Sequence, residues 1–142
     1  AALERLGIPH LAGRPFTELS GGEQQMTLIA RALVQDGTIL VMDEPAAALD
    51  LRNQATVLAT VRSLADESHG VVMTSHNPDH AFMVASRAVL LTRERRILSG
   101  PVDEVLSEEN LQEAYGTRVR VIDTVDDDGR PTRTCLPSLH TL

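Results

Sequence analysis

Apolar residues recur at helical spacing at Met26, Ile29, Ala30 and Leu33, and the stripe stops at Asp36-Gly37. Spacings of three and four keep side chains on one helical face, so the segment from Gly22 to Gln35 is predicted to be an amphipathic helix. Ile39-Leu40-Val41-Met42 runs apolar without alternation, the pattern of a parallel-sheet strand covered on both faces. Leu51, Ala55, Leu58, Val61 and Ala65 mark a second long helix, with Asp50 as its N-cap and Gly70 beyond its end,. Val71-Val72-Met73-Thr74 has the buried-strand pattern again. Strand, helix and strand in this order predict a right-handed βαβ unit and an α/β fold.

The flanking segments are shorter. Residues 1–6 carry a brief helical pattern broken by Gly7 and Pro9, followed by a loop with Gly13 and Pro15. Asn77 caps and Pro78 opens a third helix running to about Ala85,. Ala88–Thr92 and Arg96–Ser99, separated by Arg93-Glu94-Arg95, read as a hairpin at a sheet edge,. Two short helices follow, over 101–106 and 107–116, the second capped by Ser107 and stopped by Gly116,. Arg118–Ile122 alternates, and Arg130–Leu136 is its expected hairpin partner across Asp126-Asp127-Asp128-Gly129,. The chain contains no internal repeat.

Composition narrows the function classes. A chain of 142 residues, 42% apolar and 23% charged, suits one globular domain,. All 13 basic residues are arginine, so chemistry that needs an ammonium group must recruit it elsewhere. A formal charge of −7 with one Tyr, two Phe and no Trp argues against a nonspecific nucleic-acid binder, which needs basic stripes and stacking aromatics. Cys135 is alone and cannot form an internal disulfide, and no apolar run reaches the roughly 18 to 20 residues that cross a bilayer. The chain therefore reads as cytosolic. Its start, Ala1-Ala2-Leu3, has neither Met nor a targeting pattern and is open to reading as a truncation.

Three places carry candidate chemistry. Ser20-Gly21-Gly22-Glu23 is a capping box in one reading, Ser20 accepting from the Glu23 backbone and Glu23 reaching back. Two adjacent glycines in a first helical turn each cost up to about 1 kcal/mol relative to alanine. A bare helix N-terminus lets a phosphate approach unpaired N–H groups, so anion binding stands beside capping. Asp43-Glu44 closes the first buried strand, where open α/β sheets place ligand chemistry. Their bland role is to cap the turn at Pro45. Adjacent carboxylates repel unless a cation or solvent compensates, and strand alternation would make them diverge, one holding a metal and the other addressing a water. His76 follows the second strand and so reaches the same sheet end, either as a site residue or as a structural histidine. His76 and His80 have metal-pair spacing, but Pro78 keeps His76 outside the helix. A calcium loop around Gly129 would need ligands at Thr124 and Cys135, so the acidic run reads as a solvated turn,. Cys135, Tyr115 and Phe82 read as packing residues.

Leu19-Ser20-Gly21-Gly22-Glu23-Gln24-Gln25, then Ile39–Met42 with Asp43-Glu44-Pro45, then Ala48-Leu49-Asp50, then Thr74-Ser75-His76 resemble, in order, the signature, Walker B, D-loop and switch histidine of an ABC ATPase. The resemblance implies a P-loop NTPase-type, RecA-like parallel sheet with flanking helices, incomplete here. It divides the chain into a helical signature segment (1–37), a catalytic core (38–100) and C-terminal helices with a β-hairpin tail (101–142). It implies that Asp43 orders Mg²⁺ through water, Glu44 polarises the attacking water and His76 contacts the γ-phosphate of ATP. Ser20, Gly21, Gly22 and Gln24 would serve nucleotide, the signature acting on ATP held by a second ATPase subunit in a head-to-tail dimer. Asp50 would line that seam. The implied partners are that second subunit, transmembrane permease subunits and, indirectly, a solute-binding protein, with no nucleic acid, and the implied place is the cytoplasmic face of a membrane.

One part of the family pattern is missing. The chain has neither the GxxxxGK[ST] phosphate loop nor any lysine, and the family's upstream glutamine loop is absent too, so it resembles the C-terminal half of a nucleotide-binding domain. Arg14-Pro15-Phe16-Thr17-Glu18, Leu51-Arg52-Asn53-Gln54, Asn77-Pro78-Asp79-His80 and the tail from Gly100 to Gly116 resemble importer ATPases for iron-siderophore, haem or vitamin B12. Ala46-Ala47-Ala48 departs from the commoner residues there but leaves Asp43 and Glu44 intact. Two alternatives are an SMC-type DNA-repair ATPase fragment and a noncatalytic half-domain that offers Ser20–Gly22 to another subunit's ATP.

Overall fold

The computed structural model describes residues 2–35 and 37–139. Asp36, expected to stop the first long helix, lies outside the described residues, as do Ala1 and residues 140–142. In chain order the elements are α1 (Ala2–Arg5), α2 (Gly21–Val34), β1 (Ile39–Met42), α3 (Leu51–Asp66), β2 (Gly70–Met73), α4 (Pro78–Val84), β3 (Arg87–Leu91), β4 (Ile97–Pro101), α5 (Val102–Val105), α6 (Glu108–Tyr115), β5 (Val119–Val125) and β6 (Pro131–Pro137). They fall into two compact units, Ala1–His76 and Asn77–Leu142.

In the first unit β1 and β2 pair in parallel, from Ile39 opposite Gly70 to Met42 opposite Met73, with α3 as the connection. α3 packs on β2 and α2 on α3. The apolar stripes seen in the sequence are the buried ones: Met26, Ile29 and Ala30 from α2, and Val57, Leu58, Val61 and Leu64 from α3, join Leu40 and Met42. The expectation that β1 and β2 are covered on both faces is corrected. Leu40 and Met42 are buried, whereas Ile39 is 66%, Val41 77% and Val72 58% exposed. An unbroken apolar run reports that two faces require cover, but it does not say that the cover belongs to the same stretch of chain.

The second unit consists of two antiparallel hairpins and three short helices. β3 pairs with β4 from Arg87–Pro101 to Leu91–Ile97, and β5 with β6 from Val119–Pro137 to Val125–Pro131. The β3–β4 hairpin was expected at the edge of a larger sheet; among the described residues it is a two-stranded sheet of its own. Val105, Leu106, Leu111 and Val119 form the core here, with Phe82, Leu90, Leu98, Val121 and Cys135 packed around them. Burial, helped by the nearby Asp79 charge, pushes the Cys135 thiol up to about 11. Its backbone N–H donates to Asp79 Oδ1 at 2.7 Å, so Cys135 behaves as the small packing residue its isolation suggested. In the acidic turn, Asp126 Oδ1 accepts from Asp128 N–H at 3.0 Å and from Arg130 N–H at 2.8 Å, which spends that carboxylate on the turn itself.

Leu111 is 0% exposed at the centre of this core. Leu111→Ala is expected to cost about 2–5 kcal/mol, read as a lower urea midpoint at unchanged slope; an unchanged midpoint would place the core elsewhere.

Candidate functional site

Because β1 and β2 are parallel and in register, they end together at Met42 and Met73. The ladder continues one step further, Thr74 N–H donating to Met42 O at 3.0 Å. Asp43 and Thr74 therefore leave the strand ends side by side. The Thr74 hydroxyl donates to Asp43 Oδ1 at 2.5 Å and accepts from Glu44 N–H at 2.9 Å. Glu44 sits at φ 43, in the left-handed region that side chains other than glycine rarely adopt. Ala47 N–H donates to Glu44 O at 3.2 Å and closes the bend. The divergence of the two acids is thus not the strand alternation expected from sequence: β1 ends at Met42, and Asp43-Glu44 form a turn.

His76 Nδ1 lies 3.2 Å from Glu44 Oε1. The structure therefore brings Asp43, Glu44 and His76 into one hydrogen-bonded group inside the first unit. Their surroundings are open, with the Glu44 side chain 47% and the His76 side chain 68% exposed. A pair this exposed contributes little to stability, so it orients the two groups toward solvent without locking them. Beyond Glu44, Pro45 and Ala46 are buried, which roots the turn in the core.

Ser20, Gly21 and Gly22 form a second group, at the start of α2. Both halves of the capping box are present, Ser20 Oγ accepting from Glu23 N–H at 3.4 Å and Glu23 Oε2 from Ser20 N–H at 2.8 Å. A Cβ added at Gly21 would meet nothing within 4 Å, and one at Gly22 only Leu49 Cδ2 at 3.6 Å, an ordinary contact. Neither glycine has a positive φ. Nothing among the described residues therefore demands glycine at either position. Gln24 Nε2 donates to Phe16 O at 3.2 Å and Leu19 O at 3.1 Å, which spends its amino group on the loop before the helix. Gln25 Nε2 donates to Pro45 O at 3.4 Å and ties this helix to the Asp43–Pro45 turn. Asp50 is the N-cap of α3, as expected: Oδ1 accepts from Asn53 N–H at 2.8 Å and Oδ2 from Asn53 Nδ2 at 3.3 Å.

A family model described as "ABC transporter" matches residues 1–47. The hemin import ATP-binding protein HmuV of Rhodococcus jostii is 45% identical over 122 residues, which cover 86% of this chain and 42% of that protein. The zinc import ATP-binding protein ZnuC of Marinobacter nauticus is 39% identical over 120 residues, covering 84% and 46%. A solved inward-facing structure of a transporter assigned to the metal-chelate type of ABC transporter superposes with TM-score 0.84 at 33% identity, over 96% of this chain and 54% of that one. The chain belongs to the ABC transporter ATP-binding proteins. Its α/β architecture is theirs, and it spans less than half the length of the two curated relatives.

Two contacts in this chain escaped the sequence reading. Thr74 was visible only as part of the Thr74-Ser75-His76 motif, with no role of its own. The signal that could have found it is the strand pairing: in a parallel pair that ends at Met42 and Met73, the next residues, Asp43 and Thr74, must be neighbours. Gln25 gave no such signal, because its partner is a backbone carbonyl twenty residues away.

Hydrogen bonds from the Ser20 backbone and side chain, with Arg14 nearby, hold the Glu23 carboxyl below its ordinary 4.5. A depressed folded-state value means that this contribution to stability is fully present above the unfolded value and lost as pH falls through the folded one. Glu23→Gln should therefore lower the urea midpoint at about pH 7, and the difference from wild type should shrink as the pH falls below the ordinary carboxylate range; a difference that stays the same size in acid would contradict the capping role of the charged form.

Proposed function

We propose that this chain is the C-terminal part of the ATP-binding, ATP-hydrolysing subunit of an ABC importer. The observation that carries the reading is the grouping of Asp43, Glu44 and His76 where two parallel strands end together. Phosphoryl transfer to water needs an oriented water, donors toward the γ-phosphate and compensation of the phosphate charge, and little covalent work from the protein. Glu44, exposed and 3.2 Å from His76 Nδ1, accepts a hydrogen bond from the water and draws off its proton. His76, oriented by its Nδ1 contact with Glu44, donates to a γ-phosphate oxygen. Ser20, Gly21 and Gly22 present a bare helix N-terminus to ATP held by a second subunit, a use that explains two glycines for which the chain itself has no need. Gln24 holds the loop that leads to that helix, and Asp50 lines the same seam while capping α3.

The donor set suits magnesium brought in with nucleotide. Among the described residues no group of three His, Cys, Asp or Glu is placed to cage an ion, and Mg²⁺ in nucleotide sites takes one or two carboxylates with phosphate oxygens and water for the rest. Asp43, with Oδ1 engaged by Thr74, offers Oδ2 for that purpose. Bound there, the ion would supply charge compensation for the phosphates.

The phosphate loop and its lysine are absent from these 142 residues. In this reading they reside in the rest of the subunit, and the chain by itself neither holds ATP tightly nor turns it over. Residues 1–37 serve as the signature segment, 38–100 as the catalytic core and 101–142 as the tail. The importer assignment, with a metal chelate such as an iron-siderophore, haem or cobalamin as solute, is supported by the relative named for hemin import and by the metal-chelate transporter structure. The subunit would sit peripherally on permease partners at the cytoplasmic face, served indirectly by a solute-binding protein; no described helix is long and apolar enough to cross a membrane. The relatives above are named as import ATP-binding proteins, which favours this reading over a DNA-repair ATPase fragment.

In the full-length subunit, Glu44→Gln should reduce single-turnover phosphate release by about 10²- to 10⁴-fold while nucleotide binding persists. Near-normal turnover in the variant would contradict the role given to Glu44.

A further inference from the structure

We propose that Thr74 is a positioning residue for both acids of the site, one hydroxyl setting the Asp43 carboxylate and the Glu44 backbone together. A hydroxyl has a single O–H to donate. Thr74 spends it on Asp43 Oδ1 at 2.5 Å and accepts from Glu44 N–H at 2.9 Å. The hydroxyl is itself held: Thr74 N–H is tied to Met42 O at 3.0 Å, and β-branching restricts its χ1.

The two bonds have different consequences. On Asp43, the donor takes Oδ1 and leaves Oδ2 as the oxygen available to a cation or water, so the carboxylate presents one face rather than rotating between two. On Glu44, the acceptor stabilises a backbone at φ 43 that the residue would otherwise leave for a more populated region. The Ala47 N–H bond to Glu44 O and the Gln25 bond to Pro45 O hold the other side of the same turn. Thr74 thereby fixes where the Glu44 side chain starts, and with it the 3.2 Å approach to His76 Nδ1. Aspartate and glutamate in sequence can act on the ion and on the water at the same instant only if the turn between them is held, and the Thr74 hydroxyl supplies that hold from just past the end of β2.

The catalytic part of this proposal rests on the ATPase reading, whereas the local part does not, and the experiment separates them. Thr74→Val keeps the shape and removes the hydroxyl; Thr74→Ser keeps the hydroxyl. In the nucleotide-free full-length subunit, amide hydrogen exchange at Glu44 should accelerate about fivefold or more in Thr74→Val and return to the wild-type rate in Thr74→Ser. In ATP hydrolysis, kcat should fall about tenfold in Thr74→Val, with the KM for ATP within about twofold of wild type, and Thr74→Ser should restore it. Unchanged exchange at Glu44 and unchanged kcat in Thr74→Val would overturn the proposal, as would a loss in Thr74→Val that Thr74→Ser fails to restore. If Thr74→Val does not fold, Thr74→Ala gives the same comparison. A wild-type subunit without ATPase activity would sink the ATPase reading alone, and the exchange rates would still decide whether Thr74 holds Glu44.

Discussion

The parallel pairing of β1 and β2 in a single register is the constraint on which the candidate site depends. With Met42 opposite Met73, Thr74 can bond back to Met42 and reach Asp43 and Glu44. His76, two residues on, then arrives at Glu44. A slip of one residue would turn β2 over, exchanging its half-buried Val71 and Met73 for the exposed Val72, and would move Thr74 away from Asp43. The register is therefore stabilised by burial on one face of the sheet, and the polar group at the strand ends inherits that stability.

A second tie runs from the start of α2. Gln25 bonds to Pro45 O, and Leu49 Cδ2 lies 3.6 Å from where a Cβ on Gly22 would stand. In the proposed dimer the N-terminus of α2 serves one nucleotide and the Asp43-Glu44 turn another. The two are nevertheless neighbours through Gln25 and Leu49 within one chain. A shift of the helix on closing over the partner's nucleotide would be felt at the turn that carries Glu44, because the link is a hydrogen bond to the peptide immediately after it.

Much of this architecture was legible in the sequence where a local rule governs it. The helix stripes and the caps Ser20, Asp50, Asn77 and Ser107 were readable, and each of these side chains accepts from a backbone N–H in the first turn. The parallel strand pair and the meeting of Asp43, Glu44 and His76 followed from topology, since strands of one βαβ unit deliver their ends to one side. What was not legible depends on partners distant in sequence. The open faces of Ile39, Val41 and Val72 could not be told from covered ones, because apolar residues record the need for cover and not its source. The left-handed backbone of Glu44 leaves no trace in residue type, since no glycine marks it; the hydroxyl that stabilises it lies thirty residues away, one residue past the end of the other strand. The Gly21-Gly22 pair is the converse case, in which sequence signals a demand that the chain's own packing does not make.

The most direct test of the account is a structure of the full-length subunit carrying Glu44→Gln with Mg²⁺ and ATP. Two subunits are expected head to tail around two nucleotides. In each, Asp43, residue 44 and His76 would gather about the γ-phosphate of one ATP, and Ser20 and the Gly21-Gly22 backbone would contact the γ-phosphate of the other. A γ-phosphate bound away from the ends of β1 and β2, or a Ser20–Gly22 segment with no phosphate before it, would contradict it.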